Sequence, residues 1–260
     1  MIYHTVDGAG APLLLLNGIA MTAASWRPEA EPLERRFTVI RCDLQGQLMS
    51  PGPPPQDVGE HVGDVIEVLD HLGVESVDLL ATSFGGAVAA LLAARHPERV
   101  RSLLSVASAD GFTEVMAAEV RRWRDGVLQS LEGGDRGHLS DVLEPVVYSP
   151  AYVEAHRDER ALRRAQIAAL PKQWFKDLAG LLESADSFSL AAELGAIRCP
   201  TLIVAAELDG FIPLERCRAL AEAIPCADFQ VIEGAGHAVV VEKPSAVVDL
   251  ALGFLEESPV

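Results

Sequence analysis

The 260-residue chain carries 21 Lys and Arg against 38 Asp and Glu, a formal net charge of −17 at pH 7. Such a surplus repels phosphate backbones and anionic bilayers, so nucleic acid and membranes are excluded as expected partners. With 49% hydrophobic and 23% charged residues, the chain reads as globular and long enough to bury one large core.

No apolar stretch approaches the roughly 18 residues of a membrane span. Residues 1–6 lack the basic start and long apolar stretch of a secretory leader. Cys42, Cys199, Cys217 and Cys226 show neither CxxC nor metal-ligand spacing. They read as buried or half-buried free thiols in a reducing compartment, so a cytoplasmic location is expected. No metal-ligand cluster, dinucleotide-binding glycine pattern or P-loop occurs, and no cofactor or metal is expected. The sequence leaves homodimerisation open.

In chain order, residues 2–6 predict a short edge strand and residues 7–10 a turn. The unbroken apolar run 12–16 predicts a buried strand. Residues 22–36 predict a helix around Pro28 and Pro32, and residues 37–42 a strand. Val58, Val62, Val65, Ile66, Leu69 and Leu72 fall at helical spacing over residues 57–72. A strand at 77–80 runs into a turn and then a buried helix at 87–94. Strands at 100–107, 201–206 and 229–232 follow, with a helix at 214–224. Pro244 opens a closing helix that runs to residue 255. Such alternation predicts an α/β fold, a mostly parallel sheet with helices on both faces.

The alternation stops between residues 111 and 190, where the periodicity is helical throughout. Met116, Val120, Trp123, Val127 and Leu131 share one helical face; Trp174, Leu178 and Leu181 share another. Gly133-Gly134 and Ser149-Pro150 read as joints. The predicted organisation is therefore a core of residues 1–110 and 191–260, with residues 111–190 inserted as a helical cap over the sheet's carboxyl edge. This insertion holds 13 acidic and 10 basic side chains, against 25 and 11 in the core.

Ala81-Thr82-Ser83-Phe84-Gly85-Gly86 lies between the apolar strand and the buried helix. A serine in a tight strand-to-helix turn, with small neighbours, is the sequence form of a nucleophile elbow. The chain resembles an α/β-hydrolase with a helical cap, and the resemblance runs over nearly its whole length. It departs from the family pattern at Ala81, where Gly is usual two places before the serine.

The resemblance implies a Ser-His-Asp triad, and the residues supply it in order. Ser83 is the nucleophile candidate. His237, in a glycine-containing loop after the last strand, is the base candidate. Asp209 follows a strand between them and fits the carboxylate that orients the imidazole; Asp110 competes, because some family members place the acid there. The family's oxyanion donors are backbone N–H groups, here those of Phe84 and, from the loop Asn17-Gly18-Ile19, of Ile19. Relatives carry His-Gly where this chain has Asn17-Gly18. They usually carry Gly-His-Gly where it has Gly46-Gln47-Leu48, a structural loop near the site that is expected to have little direct effect on chemistry.

Ile19, Met21, Phe84 and Trp123 predict an apolar substrate pocket. Arg121, Arg122 and Arg124 read as a solvated helix face. The implied activity is hydrolysis of a small-molecule carboxylic ester through an acyl-enzyme. The Asn-Gly loop and the elbow without its first glycine are also similar to the bacterial synthases that join 3-hydroxyacyl chains for rhamnolipids, which makes acyl transfer the main alternative. Perhydrolase, lyase or carbon–carbon bond hydrolase activity, or a ligand-receptor role, are further readings of the fold.

Overall fold

Apolar runs such as residues 13–16 place side chains on both faces of a strand, so both faces must be covered. The computed structural model, which describes residues 1–186 and 188–257, meets that demand with a seven-stranded sheet. The chain runs β1 (His4–Gly8), β2 (Ala11–Leu16), α1 (Arg27–Leu33), β3 (Phe37–Cys42), α2 (His61–His71), β4 (Val77–Thr82), α3 (Phe84–Arg95) and β5 (Val100–Val106). Five helices follow: α4 (Glu114–Leu131), α5 (His138–Val147), α6 (Pro150–Ala155), α7 (Arg160–Ala169) and α8 (Lys172–Ala185). The chain then returns through β6 (Thr201–Ala206), α9 (Leu214–Ala223), β7 (Ala227–Ile232), α10 (Val239–Glu242) and α11 (Pro244–Glu257). The strand order is β1-β3-β2-β4-β5-β6-β7, and only the β1–β3 pair is antiparallel. This is the α/β class that the alternation predicts.

The two faces of the sheet carry different partners. Leu14, Leu16, Ile40, Leu79 and Ala81 pack on the face covered by Val65 and Leu69 of α2 and by α3. Leu13, Leu15, Val39, Leu80 and Val204 pack on the other face with Ala30 and Leu33 of α1 and Val247 and Ala251 of α11. Fully burying such a side chain is worth roughly 1.5–3 kcal/mol. Helix α3 is buried from Phe84 to Ala93, which explains why its sequence has no polar stripe. Met116, Val120 and Trp123 of α4 and Phe175, Leu178 and Leu181 of α8 join the same apolar cluster as α3. The ends of this helical stretch meet at a bridge between Gly111 and Ser189 and a bond from Leu190 N–H to the Asp110 carbonyl at 2.7 Å.

Four local expectations are corrected. Strand β1 is shifted two residues onward, pairing His4 with Cys42 through Gly8 with Thr38, so Asp7 and Gly8 belong to the strand. As an edge strand it leaves Val6 exposed, and an edge has no strict alternation to fix its register. Residues 22–36 do not form one helix; a 3-10 turn at Ala23–Trp26 precedes α1, because Pro28 cannot donate the bond that would continue a helix through it. The 57–72 helix likewise opens as a 3-10 turn, capped by Asp57 accepting from Gly59 N–H at 2.7 Å. Cys226 is exposed rather than buried.

Glu29 on α1 stands out among these packed side chains. It is fully buried, and neither carboxyl oxygen has a partner on another residue among those described. Burial pushes its pKa up to about 7, offset only in part by its own backbone amide.

Candidate active site

Strand β4 delivers Ser83 to the carboxyl edge of the sheet, and the chain reverses there with φ 52° and ψ −121°. A positive φ is uncommon for a residue with a side chain and marks a strained turn. Bonds from Ser83 N–H to the Val106 carbonyl and from Gly86 N–H to the Ser83 carbonyl, both 2.9 Å, hold it. The small residues after it are sterically required. A Cβ on Gly85 would lie 2.5 Å from the Leu16 carbonyl oxygen, and one on Gly86 would strike Ser105 and Ser108. Ala81, by contrast, is accommodated: its methyl group points into the apolar cluster on the α3 side of the sheet.

Ser83, His237 and Asp209 meet. His237 Nε2 lies 2.9 Å from Ser83 Oγ, and His237 Nδ1 lies 2.8 Å from Asp209 Oδ2. Asp209 Oδ1 is occupied by the N–H groups of Phe211 and Ile212, each at 2.8 Å. A carboxylate beside Nδ1 calls for the Nδ1–H tautomer, which leaves the Nε2 lone pair for the serine hydroxyl. The Phe211 ring stands edge-on to the imidazole at 5.3 Å. Asp110 does not reach this group; it is paired with Arg216. Glu207 lies outside it too and accepts from Gly234 N–H at 2.8 Å.

The loop bearing Ile19 is held from below. Trp26 Nε1 donates to Asn17 Oδ1 at 2.8 Å, and Asn17 Nδ2 donates to the Cys42 carbonyl at 2.8 Å and to Gln47 Oε1 at 2.9 Å. Asp43 accepts from Asn17, Ala23 N–H and Met49 N–H. Burial raises the Asp43 pKa, and those three bonds restrain the rise. Gln47 donates from Nε2 to the Gly18 carbonyl at 2.9 Å. Its loop is thus bonded directly to the loop beside Ser83. The sequence shows both departures, Asn17 and Gln47, but nothing in their spacing shows that they touch.

Above Ser83 lies a cavity of about 450 Å³. Ile19, Met21, Phe84 and Trp123 line it, together with Leu139, Leu143, Leu178 and Phe188. Trp123 packs on Phe211 at 4.5 Å between ring centres, which links the helical wall to His237. Arg121 and Arg122 face acidic partners away from the cavity: Glu114 and Asp186 for the first, Glu119 for the second.

Sequence reasoning missed two further features. Arg163 and Glu144, bonded at 3.0 Å, border the cavity from α7 and α5. Glu242 accepts from Ser149 N–H at 2.8 Å, Ser149 Oγ at 2.6 Å and Gly236 N–H at 3.1 Å, tying the His237 loop to the α5–α6 joint. Neither leaves a local signal in the chain. Among the described residues, no cluster of His, Cys, Asp or Glu could hold a metal ion, and no helix is long and apolar enough to cross a membrane.

Residues 11–244 match the family model described as the alpha/beta hydrolase fold, and the chain belongs to that family, an enzyme of the hydrolase class. It is 32% identical over 262 residues to an Azorhizobium caulinodans protein named as a carbamate hydrolase, RutD, with 98% of this chain and 95% of the other covered. It is 31% identical over 269 residues to the 2-hydroxymuconate semialdehyde hydrolase of Pseudomonas sp. strain CF600, covering 97% and 89%. Among solved structures, a thermophilic esterase from Thermogutta terrifontis superposes with a TM-score of 0.84 at 25% identity, covering 100% and 94%.

Proposed function

We propose that the protein is a serine carboxylesterase acting on esters with apolar acyl or alkyl groups. The observation that carries this reading is the unbroken hydrogen-bonded line from Asp209 through His237 to Ser83, set at the floor of an apolar cavity. Ser83 Oγ attacks the ester carbonyl carbon while His237 Nε2 takes the hydroxyl proton. The carbonyl oxygen becomes an oxyanion, received by the N–H groups of Ile19 and Phe84. Neither N–H has a protein acceptor among the described residues. Collapse breaks the bond to the alcohol oxygen, which leaves with the proton from His237. Water then adds to the acyl-enzyme by the same route, releasing the acid and restoring the serine. Asp209 holds the imidazole in the required tautomer and stabilises its protonated form.

The apolar walls support an ester with a hydrocarbon body, since such walls gain from burying alkyl surface and offer few groups to grip a charged substrate. The 25% identity to an esterase supports the same choice of bond. The test is a panel of p-nitrophenyl esters from acetate to long acyl chains, run with and without a 3-hydroxyacyl acceptor, alongside fluorophosphonate labelling. Hydrolysis that rises with acyl length and then falls is the expected result. A transferred acyl product would replace the hydrolytic reading with acyl transfer. No turnover and no label on Ser83 would overturn both.

A further inference from the structure

We infer that Gln47 is a positioning residue for the oxyanion site: its side-chain amide sets the direction in which the Ile19 N–H points. The inference rests on the serine-hydrolase reading above and extends it to a residue that touches no substrate.

The argument begins with the peptide plane. In a trans peptide unit the C=O and the N–H point in opposite directions. The Gly18 carbonyl and the Ile19 N–H belong to one such unit, and among the described residues no peptide bond is cis. Gln47 Nε2 donates to the Gly18 oxygen at 2.9 Å, and Met21 N–H donates to the same oxygen at 3.0 Å. Holding the carbonyl there turns the Ile19 N–H the other way. The unit is also in the right place: a Cβ on Gly18 would lie 3.6 Å from Ser83 Cβ, and Gly18, Ile19 and Ser83 line the cavity together.

The orientation of the Gln47 amide follows from its partners. Leu44 N–H can only donate, so the Gln47 atom 2.8 Å from it is Oε1, which leaves Nε2 for Gly18. Asn17 is fixed in the same manner. The Trp26 indole can only donate, so Oδ1 faces it and Nδ2 is left to donate to Gln47 Oε1. Gln47 is 1% exposed, so water cannot replace a lost bond without rearrangement. Asn17 and Gln47 thus belong to one chain of donors, from Trp26 through both amides to the peptide beside Ser83.

Two substitutions separate this role from simple packing. Gln47→Glu keeps the oxygen that serves Leu44 and Asn17 and, where its carboxyl is ionised, sets a second acceptor against the Gly18 carbonyl, so its rates are read at the alkaline end of the pH range. Gln47→Met keeps the length and removes the donor without adding charge, so it serves if the buried glutamate prevents folding. Gln45→Met, on a half-buried side chain bonded to the Pro51 carbonyl, is the control. Thermal unfolding reports folding; kcat, KM and the second-order rate of fluorophosphonate labelling report function. In the folded variant, kcat and the labelling rate are expected to fall together by roughly 10- to 100-fold. KM should stay within about twofold, because ground-state binding uses the apolar walls. A folded variant with unchanged kcat and labelling rate, or with a raised KM at unchanged kcat, would overturn the inference while leaving the hydrolase reading intact. A wild-type protein that neither labels nor turns over ester would remove the reading itself, and the inference with it.

Discussion

At the sheet edge beneath the cavity, the groups around Ser83 are held by backbone turns and buried hydrogen bonds. The elbow is strained at φ 52°, Gly85 has no room for a side chain, and Asn17, Asp43 and Gln47 are fully partnered. Across the cavity the wall is made of side chains on helices: Val120 from α4, Leu139 and Leu143 from α5, and Leu178 from α8. The one polar pair bordering that wall among the described residues, Arg163 with Glu144, is largely buried, and the ion pairs behind the wall, such as Arg160 with Asp141 and Arg121 with Asp186, are more exposed. Exposed pairs of this kind contribute about 0–1 kcal/mol each. On the proposed mechanism the floor tolerates little change, because charge develops there at a fixed point. The same proposal assigns substrate preference to the roof, whose apolar side chains can repack.

The largest expected effect breaks the floor. Ser83→Ala or His237→Ala should lower kcat/KM on p-nitrophenyl esters by about 10⁴-fold or more, with circular dichroism and the thermal midpoint close to wild type. Substantial residual turnover would show that the bonded line is not the catalytic one. Asp209→Asn should cost up to about 10⁴-fold, since the amide favours the wrong imidazole tautomer. Asp110→Asn should leave kcat nearly unchanged, because Asp110 is paired with Arg216. The reverse ranking would move the acid role to Asp110.

Glu29 sharpens the comparison from the sheet's other side, where a buried acid has no partner on another residue among those described. Its folded pKa, about 7, lies above the ordinary 4.5, so between those values the folded state keeps a proton that the unfolded state has released. Stability should therefore fall as pH rises from about 4.5 to 7 and level off above it. Glu29→Gln should flatten that slope and stabilise the protein at pH 8 by roughly 3 kcal/mol, measured by urea unfolding at several pH values. A slope that survives the substitution would assign it to other groups.

The smallest effect belongs to the roof. Leu143→Phe should narrow the cavity and shift the preferred acyl length downward, changing the kcat/KM ratio of long to short esters by about 10-fold while acetate turnover is kept. An equal loss on every ester would mean that this wall acts on the chemistry as well as on fit.

Much of the architecture was legible because it leaves periodic or local traces. Residues 37–42 and 201–206 form strands as the apolar runs require, and α4 follows the spacing of Met116, Val120 and Val127. The first strand was misplaced because an edge strand lacks that trace. The segment before β3 was misread because proline breaks a helix in ways that depend on the turn preceding it. The Gln47 loop reads as structural, near the site and with little direct effect on chemistry, because an amide pointing into a core looks, in sequence, like any other loop residue.

By itself the sequence determined the alternating fold, the small-residue turn around Ser83 and the chain order of serine, aspartate and histidine, since each is written in neighbouring residues. The tertiary structure alone decided that Asp209 rather than Asp110 faces His237, that Asn17 and Gln47 join beneath the Ile19 loop, and that Glu242 reaches across to Ser149. These are one or two hydrogen bonds each, between segments far apart in the chain. They depend on where strands end and loops fold back, which no local pattern of residue types records.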